Sequence, residues 1–382
     1  MNQYDYIIAG TGASGLMLAY AMTQDPFFVN KRILLLDKEK KQLDDRTWCF
    51  WEQGKGIWDE VVTKVWNTIL VNDKKSMLAV PIAPYTYKYI RSGDFYSFVY
   101  KEIAAVKNIE ISYDTVLAID DREHYVMVTT QNSAYQGKKV CTSILNNFEY
   151  KNQQKYPVLQ QHFIGWYVQV DKPIFDDQVA TFMDFSVAQQ GNTRFMYVLP
   201  LTPTYALFEY TLFSEKRLAT SEYEEAIANY LNKKGIIKYQ IKEVEKGSIP
   251  MTSYPFSTKN SKNVLHIGTA GGWTKASTGF TFKNSSRKVT QLVAFLKHTE
   301  DLTKFDKKTR FWIYDLLLLD VLYKYNGKGA SLFLRLFKAN KTTRILQFLD
   351  EETNILQELK IMSSMPSWLF IKAILRRIKR KF

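Results

Sequence analysis

Residues 4–15 read Tyr-Asp-Tyr-Ile-Ile-Ala-Gly-Thr-Gly-Ala-Ser-Gly, a short apolar run that leads directly into a Gly-x-Gly-x-x-Gly loop. A segment of good helix formers, 16–22, follows the last glycine. This order of strand, glycine loop and helix is typical of a dinucleotide-binding βαβ unit, because the glycines permit a tight turn and let a pyrophosphate approach the backbone at the helix N-terminus. The residues that we expect at the dinucleotide are Gly10, Gly12, Ala13 and Gly15.

An acidic residue closes the second strand of this unit. The strand 32–37, apolar at 33–36, ends at Asp37, 22 residues after Gly15. A carboxylate at this position is placed to accept hydrogen bonds from the ribose hydroxyls of a bound dinucleotide. The complete order of strand, loop, helix, strand and acid therefore predicts a Rossmann-like domain that binds FAD or NAD.

A second strand, glycine-rich loop and helix occupy residues 263–295 and favour FAD over NAD. In flavoproteins with two dinucleotide folds, such a segment returns to the first domain and caps the flavin ring. A helix that begins near Gly279 would favour an anionic reduced flavin, because helix N-termini carry partial positive charge. Many such flavoproteins have Asp directly after the strand's glycine, where this chain has Thr269. The residues that we expect at the flavin are Gly268, Gly271, Gly272, Thr278 and Gly279.

The rest of the chain predicts an inserted sheet and a helical region. From 163 to 211, short strands rich in aromatic and β-branched residues replace the earlier βα pattern. We therefore predict an α/β fold of the two-dinucleotide-fold, p-hydroxybenzoate-hydroxylase-like type, with a mixed β-sheet inserted over the flavin. The predicted parts are a discontinuous FAD-binding domain at 1–75, 92–160 and 260–300, a substrate-binding domain at 76–91 and 161–259, and a helical region at 301–382.

The positive charge of the chain is concentrated near its C-terminus. With 52 basic and 38 acidic residues the net charge is +14, which nucleic acid, an anionic membrane or solubility could explain. From residue 362 onward there are six basic residues and no acidic one. We therefore expect a helix that lies on anionic lipid at the cytoplasmic face of the cell membrane, and no nucleic acid; a solvated charged terminus is the alternative. Apolar residues recur there at helical spacing: Ile371, Ile374, Leu375, Ile378 and Phe382.

Cysteine and histidine usage is sparse. The two cysteines, Cys49 and Cys141, form no disulfide framework and fit a reducing compartment. The four histidines show no metal-ligand spacing, so we expect no metal. The apolar stretch 311–322 is shorter than the roughly 20 residues that a membrane-spanning helix needs. We therefore expect a peripheral rather than an integral membrane protein.

Several further segments, together with the glycine loop, make the chain closely similar to lycopene β-cyclases. Asp-Arg-Thr-Trp-Cys-Phe-Trp at 45–51 and Ser-Thr-Gly-Phe at 277–280 are much more specific than the glycines. The other segments, in family order, are Met-Asp-Phe at 183–185, Phe-Met-Tyr-Val-Leu-Pro at 195–200 and Phe-Glu-Tyr-Thr at 208–211.

This resemblance implies a function. It implies FAD that is active in its reduced form, with NAD(P)H serving only as the reductant, and lycopene or another acyclic carotenoid as substrate. The implied reaction is a redox-neutral closure of the ψ-ends to β-rings, giving γ-carotene or β-carotene. The same scaffold hosts other chemistry, so two alternatives stay open. They are an FAD-dependent isoprenoid or carotenoid reductase or hydroxylase, and a non-catalytic carotenoid-binding flavoprotein.

Glu209 is the candidate proton donor. Protonating an alkene needs a strong acid in a dry site, and burial among apolar groups raises the pKa of a carboxyl group. On a strand, Glu209 would share its face with Leu207, Thr211 and Phe213, although a solvated edge position is the alternative. Plant-type relatives carry two adjacent glutamates here, whereas this chain has Tyr210 after Glu209, so this segment supplies a single carboxylate.

Further residues are expected around the cofactor and the substrate, Arg46 and Trp48 because they follow soon after the ribose-binding strand. Arg46 is expected to contact the cofactor, with a packed loop held by an Arg46 salt bridge as the alternative. Asp184 is the next candidate acid after Glu209. The residues that we expect to line the substrate pocket are Trp48, Asp184, Phe208 and Tyr210.

Overall fold

The structure, a computed structural model, describes residues 2–145 and 150–379 and contains three β-sheets. The strands are, in chain order, β1 (Gln3–Ala9), β2 (Ile33–Asp37), β3 (Thr47–Gln53), β4 (Lys64–Trp66), β5 (Thr68–Asn72), β6 (Met77–Pro81), β7 (Tyr85–Arg91), β8 (Ile109–Tyr113), β9 (Val116–Asp121), β10 (Val126–Thr130), β11 (Ala134–Thr142), β12 (Leu159–Gln169), β13 (Val179–Asp184), β14 (Thr193–Thr202), β15 (Tyr205–Ser214), β16 (Gln240–Met251) and β17 (Val264–His266). The α-helices of the described residues are α1 (Ala13–Thr23), α2 (Ser92–Ala104), α3 (Thr220–Lys233), α4 (Phe282–Leu296), α5 (Arg310–Tyr325), α6 (Gly329–Ala339), α7 (Thr342–Leu349), α8 (Ile355–Ser363) and α9 (Ser367–Lys379).

The first sheet has seven strands and contains the glycine motif. β1 lies between β2 and β11 and is parallel to both, and β17 pairs in parallel with β11. The late strand therefore returns to the first domain, as the sequence predicts. β1 and β2 are almost continuous apolar runs because parallel strands are usually covered on both faces. Helices α1, α2 and α4 pack on one of those faces.

The second sheet also has seven strands, in the order β16-β12-β15-β14-β13-β5-β6. One face packs against α3, and the other faces the C-terminal helices. The predicted insertion is confirmed in outline by this sheet, but β5 pairs in parallel with β13 and so belongs to it. A domain boundary at residue 75 is therefore too late, and the change of sheet precedes Thr68.

A small three-stranded sheet, β3-β7-β4, connects these two parts. On β3, Trp48 and Phe50 pack with the core of the first sheet, whereas Trp51 packs with the core under the second sheet. The alternating directions of strand side chains explain this division. Local sequence patterns did not reveal this sheet, since β7 pairs with β3 and β4 across more than twenty residues of chain.

The C-terminal helices close the side of the second sheet opposite α3. The last helix, α9, is attached to α5 through Leu369, Ala373 and Arg377, which are buried. Both arginine nitrogens Nε and Nη2 donate to Asp320, at 2.5 and 2.6 Å. Arg377 is therefore not part of the exposed basic surface that was expected from the sequence. Arg380, Lys381 and Phe382 lie outside the described residues.

None of the helices within 2–145 and 150–379 combines the length and apolar character needed to cross a membrane. In the same part of the chain, no group of three or more His, Cys, Asp or Glu residues is arranged to hold a metal ion. Cys49 and Cys141 are both free thiols.

Candidate active site

A cavity of about 1050 Å³ lies where the loops of the first sheet, one face of the second sheet and the C-terminal helices meet. Its walls are mainly apolar and aromatic, with polar groups among them. Some come from the glycine-containing loops and two are carboxyl groups on the second sheet, while Asp45 and Asp315 add carboxyl groups from the loop before β3 and from α5. A mostly apolar cavity with a few convergent polar groups is the usual form of a small-molecule site.

The N-terminus of α1 opens into this cavity. Gly12 caps the helix without a side-chain hydrogen bond, and a Cβ built on Gly12 would meet nothing within 4 Å. The first N–H groups of a helix have no partner inside it, and together with the helix dipole they favour an anion. Gly12, Ala13 and Ser14, which all line the cavity, therefore form a surface that fits a pyrophosphate.

The other two glycines of the motif shape the turn. Gly10 has a φ of +94°, a conformation that side chains strongly disfavour. A Cβ on Gly15 would lie 2.0 Å from the carbonyl oxygen of Gly10, so a side chain there would push α1 away from β1. These two positions keep the loop tight and are not themselves part of the cavity wall.

Asp37 holds the same loop in place. Its Oδ2 accepts hydrogen bonds from the backbone N–H of Thr11, at 2.6 Å, and from Thr11 Oγ1, at 2.9 Å. The carboxylate thus lies beside the glycine loop at the end of β2, where the sequence placed it. Its contact with a ribose stays a prediction.

The late loop, residues 268–281, forms the facing wall. Thr278 and Gly279 line the cavity, and Gly279 has a φ of +75°. Thr278 Oγ1 and Gln161 Oε1, which also borders the cavity, are buried without a hydrogen-bond partner. Buried polar atoms are rarely left unpaired, so both atoms are suited to a polar ligand. Helix α4 follows at Phe282, three residues later than Gly279.

The remaining loop residues have separate roles. Gly268 lines the cavity, while a Cβ on Gly271 would lie 2.1 Å from the carbonyl oxygen of His266. Gly272 ends the turn with a φ of +73°. These two glycines shape the loop rather than the cavity. Thr269, at the position of the expected Asp, pairs with Thr274 through their hydroxyl oxygens at 2.9 Å.

All three residues of the Arg-Thr-Trp segment border the cavity. Arg46 is an exposed side chain at its edge, and its Nη1 donates to the carbonyl oxygen of Asp45. Trp48 is buried, with its ring 5.3 Å from Phe95 and 5.2 Å from Phe282 between centroids. Arg46 is thus available to an anionic ligand, whereas Trp48 forms part of the aromatic wall.

Glu209 projects into the cavity from β15. Leu207 and Phe213, on the same face of the strand, also line it. Burial, followed by the nearby charge of Glu245, raises the pKa of Glu209 to about 8, and the hydrogen bond from Thr211 opposes this shift. Thr211 Oγ1 donates to Glu209 Oε1 at 2.5 Å. Glu209 is therefore mainly a neutral carboxylic acid at pH 7.

A second carboxyl group, Glu245 on β16, lines the same cavity and was missed from the sequence. Its Oε1 accepts from the backbone N–H of Thr47 at 3.0 Å, and its Oε2 from Thr47 Oγ1 at 2.7 Å and Tyr167 Oη at 3.3 Å. Burial raises the pKa of Glu245, and these hydrogen bonds counteract the rise. Glu209 is therefore not alone in the site, although its own segment supplies a single carboxylate.

The sequence matches a known protein family over nearly the whole chain. A family model described as lycopene cyclase protein matches residues 5–375. The chain belongs to the lycopene cyclase family. A comparison with the curated proteins gave no match.

Solved structures with a similar fold align with most of the chain of this lycopene cyclase family member. A geranylgeranyl bacteriochlorophyll reductase-like protein from Thermoplasma acidophilum is 12% identical, with a TM-score of 0.61 over 97% of this chain and 98% of its own. A flavoprotein/dehydrogenase from Cytophaga hutchinsonii is 11% identical, with a TM-score of 0.60 over 99% and 100%. A halogenase in complex with FAD is 11% identical, with a TM-score of 0.55 over 91% and 79%. These similarities confirm the predicted α/β flavoprotein fold.

Three residues assigned to the substrate pocket from the sequence lie outside it in this lycopene cyclase family member. Phe208 and Tyr210 point to the opposite face of β15 and pack under α3, because neighbouring strand residues alternate in direction. Asp184 is buried beneath the same helix, where its Oδ2 accepts from Tyr230 Oη at 2.8 Å and Asn72 Nδ2 at 3.1 Å. The assignment of all three to the pocket is therefore wrong, and Asp184 is no candidate acid for the cavity.

Proposed function

We propose that this protein is a lycopene β-cyclase that closes the ψ-ends of lycopene into β-rings with reduced FAD, giving γ-carotene or β-carotene. Membership of the lycopene cyclase family supports this proposal. The observation that carries it is the buried carboxyl group of Glu209, which faces a large apolar cavity next to the glycine loops. A protonated acid in a dry, aromatic site is what the protonation of an alkene requires.

The residues at the glycine loops fit FAD. Gly12, Ala13 and Ser14 would hold the pyrophosphate at the N-terminus of α1, and the unpaired hydroxyl of Thr278 offers a polar contact to the flavin. Arg46, exposed at the cavity edge, would contact a phosphate oxygen. Bound reduced FAD would supply an electron-rich, negatively charged ring system that stabilises positive charge, which explains a redox cofactor in a redox-neutral reaction. NAD(P)H would act only as the external reductant.

The chain's own residues would perform the proton chemistry. The Glu209 hydroxyl delivers its proton to the terminal double bond of the substrate, and an internal double bond attacks the resulting cation to form the ring. Aromatic side chains of the cavity wall, among them Tyr197, Phe182 and Phe280, exclude water and present ring faces that attract a cation. The ring cation then loses a proton, so hydrogen count and oxidation level are unchanged.

The test of this function uses the full chain, lycopene in liposomes and FAD reduced chemically without NAD(P)H. We expect a product with β-rings and the mass of lycopene. A product that has gained hydrogen would instead support the reductase alternative, and one that has gained oxygen the hydroxylase alternative. Tight carotenoid binding with no new ring would support the non-catalytic alternative.

We further propose that the cavity opens towards an anionic lipid surface at the cytoplasmic face of the membrane. Outside the buried face of α9, Ile371, Ile374, Leu375 and Ile378 form an exposed apolar surface, with 54%, 39%, 53% and 58% of each residue accessible. Ile371 and Ile374 also line the cavity, as does the exposed Leu359 of the preceding helix. The apolar surface of the helix is thus continuous with the cavity mouth. A substrate dissolved in lipid would enter the cavity without crossing water.

Charge on the same helix matches this partner. Lys372 and Lys379 are exposed, whereas Arg376 is half-buried with its guanidinium over the ring of Tyr325. On a helical wheel Lys372 and Lys379 lie next to Leu375, at one edge of the apolar surface of α9. Each basic residue near an anionic membrane contributes about 1 kcal/mol of binding free energy. Apolar insertion and charge attraction therefore act on adjoining faces of the helix.

We expect the double substitution Ile371→Asp and Leu375→Asp to weaken liposome binding by at least about tenfold, because two inserting side chains are lost. Co-sedimentation with vesicles containing anionic lipid measures this, and higher salt should weaken binding of the wild type. Ile237→Asp is the matched control, since Ile237 is 76% exposed but lies outside α8 and α9. Undiminished pelleting of the double variant would show that another surface binds the membrane.

A further inference from the structure

The register of the second sheet places two carboxyl groups on either side of one glycine. β12 lies between β15 and β16, and Gly165 pairs with Glu209 on one neighbour and with Glu245 on the other. Directly opposed residues of paired strands point to the same face of a sheet. Since strands are about 4.8 Å apart, the two glutamates are separated by two strand spacings, about 10 Å at their backbones.

The glycine keeps the space between these carboxyl groups open. A Cβ on Gly165 would lie 2.8 Å from Leu207 Cδ1 and 3.4 Å from Glu209 Cβ. Any side chain at this position would therefore occupy the gap between Glu209 and Glu245. Both glutamates line the cavity, so the gap belongs to the region that a substrate can reach.

The two carboxyl groups accept different numbers of hydrogen bonds, and this difference suits one to act as an acid and the other as a base. Glu209 accepts one hydrogen bond, from the Thr211 hydroxyl, and is the more deeply buried of the two. Glu245 accepts three, two from Thr47 and one from the hydroxyl of Tyr167. Donated hydrogen bonds stabilise a carboxylate over a carboxylic acid. Glu209 is therefore the better placed of the two to hold a proton, and Glu245 the better placed to carry a negative charge.

We propose that Glu245 is the proton acceptor that ends the cyclisation, opposite Glu209 as the proton donor. This inference rests on the proposed cyclase function and adds the second catalytic residue to it. The Glu209 O–H bond breaks as its proton joins the terminal alkene carbon, and the π electrons of an internal double bond form the new ring C–C bond. A C–H proton next to the ring cation passes to a carboxylate oxygen of Glu245, and that C–H electron pair becomes the ring double bond.

The proton count of this scheme balances over one turnover. Glu209 loses one proton, Glu245 gains one, and the substrate neither gains nor loses electrons. Proton exchange with solvent after the product leaves returns the pair to its starting state. A fixed acceptor also determines which C–H bond breaks and hence where the ring double bond forms.

The test is Glu245→Gln in the full chain with lycopene and reduced FAD. We expect kcat to fall by about 10²–10⁴-fold with little change in KM, since the acceptor acts after the substrate has bound. We also expect the residual product to contain ring isomers with the double bond at other positions, because the cation then loses whichever proton is accessible. Glu245→Asp should restore part of the rate and the β-ring. Glu243→Gln, two residues along the same strand and outside the cavity lining, should behave as wild type.

A structural role of Glu245 makes different predictions. Thr47→Val removes one hydrogen bond between Glu245 and the Arg-Thr-Trp segment while leaving the carboxylate in place. If Thr47→Val and Glu245→Gln lose the same rate and both still give only β-rings, Glu245 merely positions that segment and the inference is overturned. A Glu245→Gln variant within a few-fold of wild type would also overturn it while leaving the cyclase function intact. Failure of the wild type itself to form rings would refute the proposed function instead.

Discussion

Replacing Glu209 by Gln is expected to slow ring formation by about 10²–10⁴-fold, or about 3–5 kcal/mol of barrier. The amide keeps the size of the side chain but carries no acidic proton. Because burial raises the pKa of Glu209 to about 8, the wild type holds this proton at pH 7 and loses it as the pH rises through about 8. Its rate should therefore fall above that pH, in single-turnover measurements with pre-reduced FAD.

The neighbouring residue provides the control for this prediction. Tyr210 is on the same strand but points away from the cavity and packs under α3. Tyr210→Phe should therefore leave the rate within a few-fold of wild type, with FAD content and carotenoid binding unchanged in both variants. Glu209→Gln activity close to wild type would mean that the proton comes from elsewhere.

Replacing Gly12 by Leu is expected to abolish FAD binding while the protein still folds. A Cβ at Gly12 meets nothing within 4 Å, so the added side chain extends into the cavity where the pyrophosphate would lie. The flavin absorbance of the purified protein should drop to background, and its thermal unfolding should match that of wild type stripped of FAD. Stoichiometric FAD in this variant would refute the assigned site.

A second glycine separates cofactor loss from folding failure. At Gly15 the added Cβ would lie 2.0 Å from the backbone oxygen of Gly10. Gly15→Leu should therefore destabilise the packing of α1 on β1, and its soluble yield should fall as well as its flavin content. The contrast between the two variants tests the geometry of the loop, since both remove a glycine from the same motif.

The sequence predicts those features that depend on neighbouring residues. The glycine loop, β1, α1 and β2 follow from local conformational demands, so their order could be read directly. The same holds for the face of β15 that carries Glu209, because alternation along a strand is local. Leu207 and Phe213 do share the cavity face with it.

Features that depend on pairing between distant strands could not be predicted from the sequence. Glu245 shares a face of the sheet with Glu209 because both residues pair with Gly165 of β12, the strand between β15 and β16. No spacing in the chain indicates this register. Likewise, Asp184 looked like a second acid near the pocket, but α3 covers it from the far side of the sheet. The apolar residues Ile241, Val244 and Ile249 are spaced three and five apart, so a period-2 pattern does not mark β16 as a strand.

The most direct measurement is the mass of the product formed in D₂O from lycopene and chemically reduced FAD. The Glu209 carboxyl proton exchanges with solvent, whereas the proton lost from the ring cation comes from the substrate. The account predicts a product with β-rings that is one mass unit heavier than lycopene for each ring formed. A ring-containing product with no deuterium, or one carrying two added hydrogens, would contradict a redox-neutral cyclisation started by an exchangeable acid.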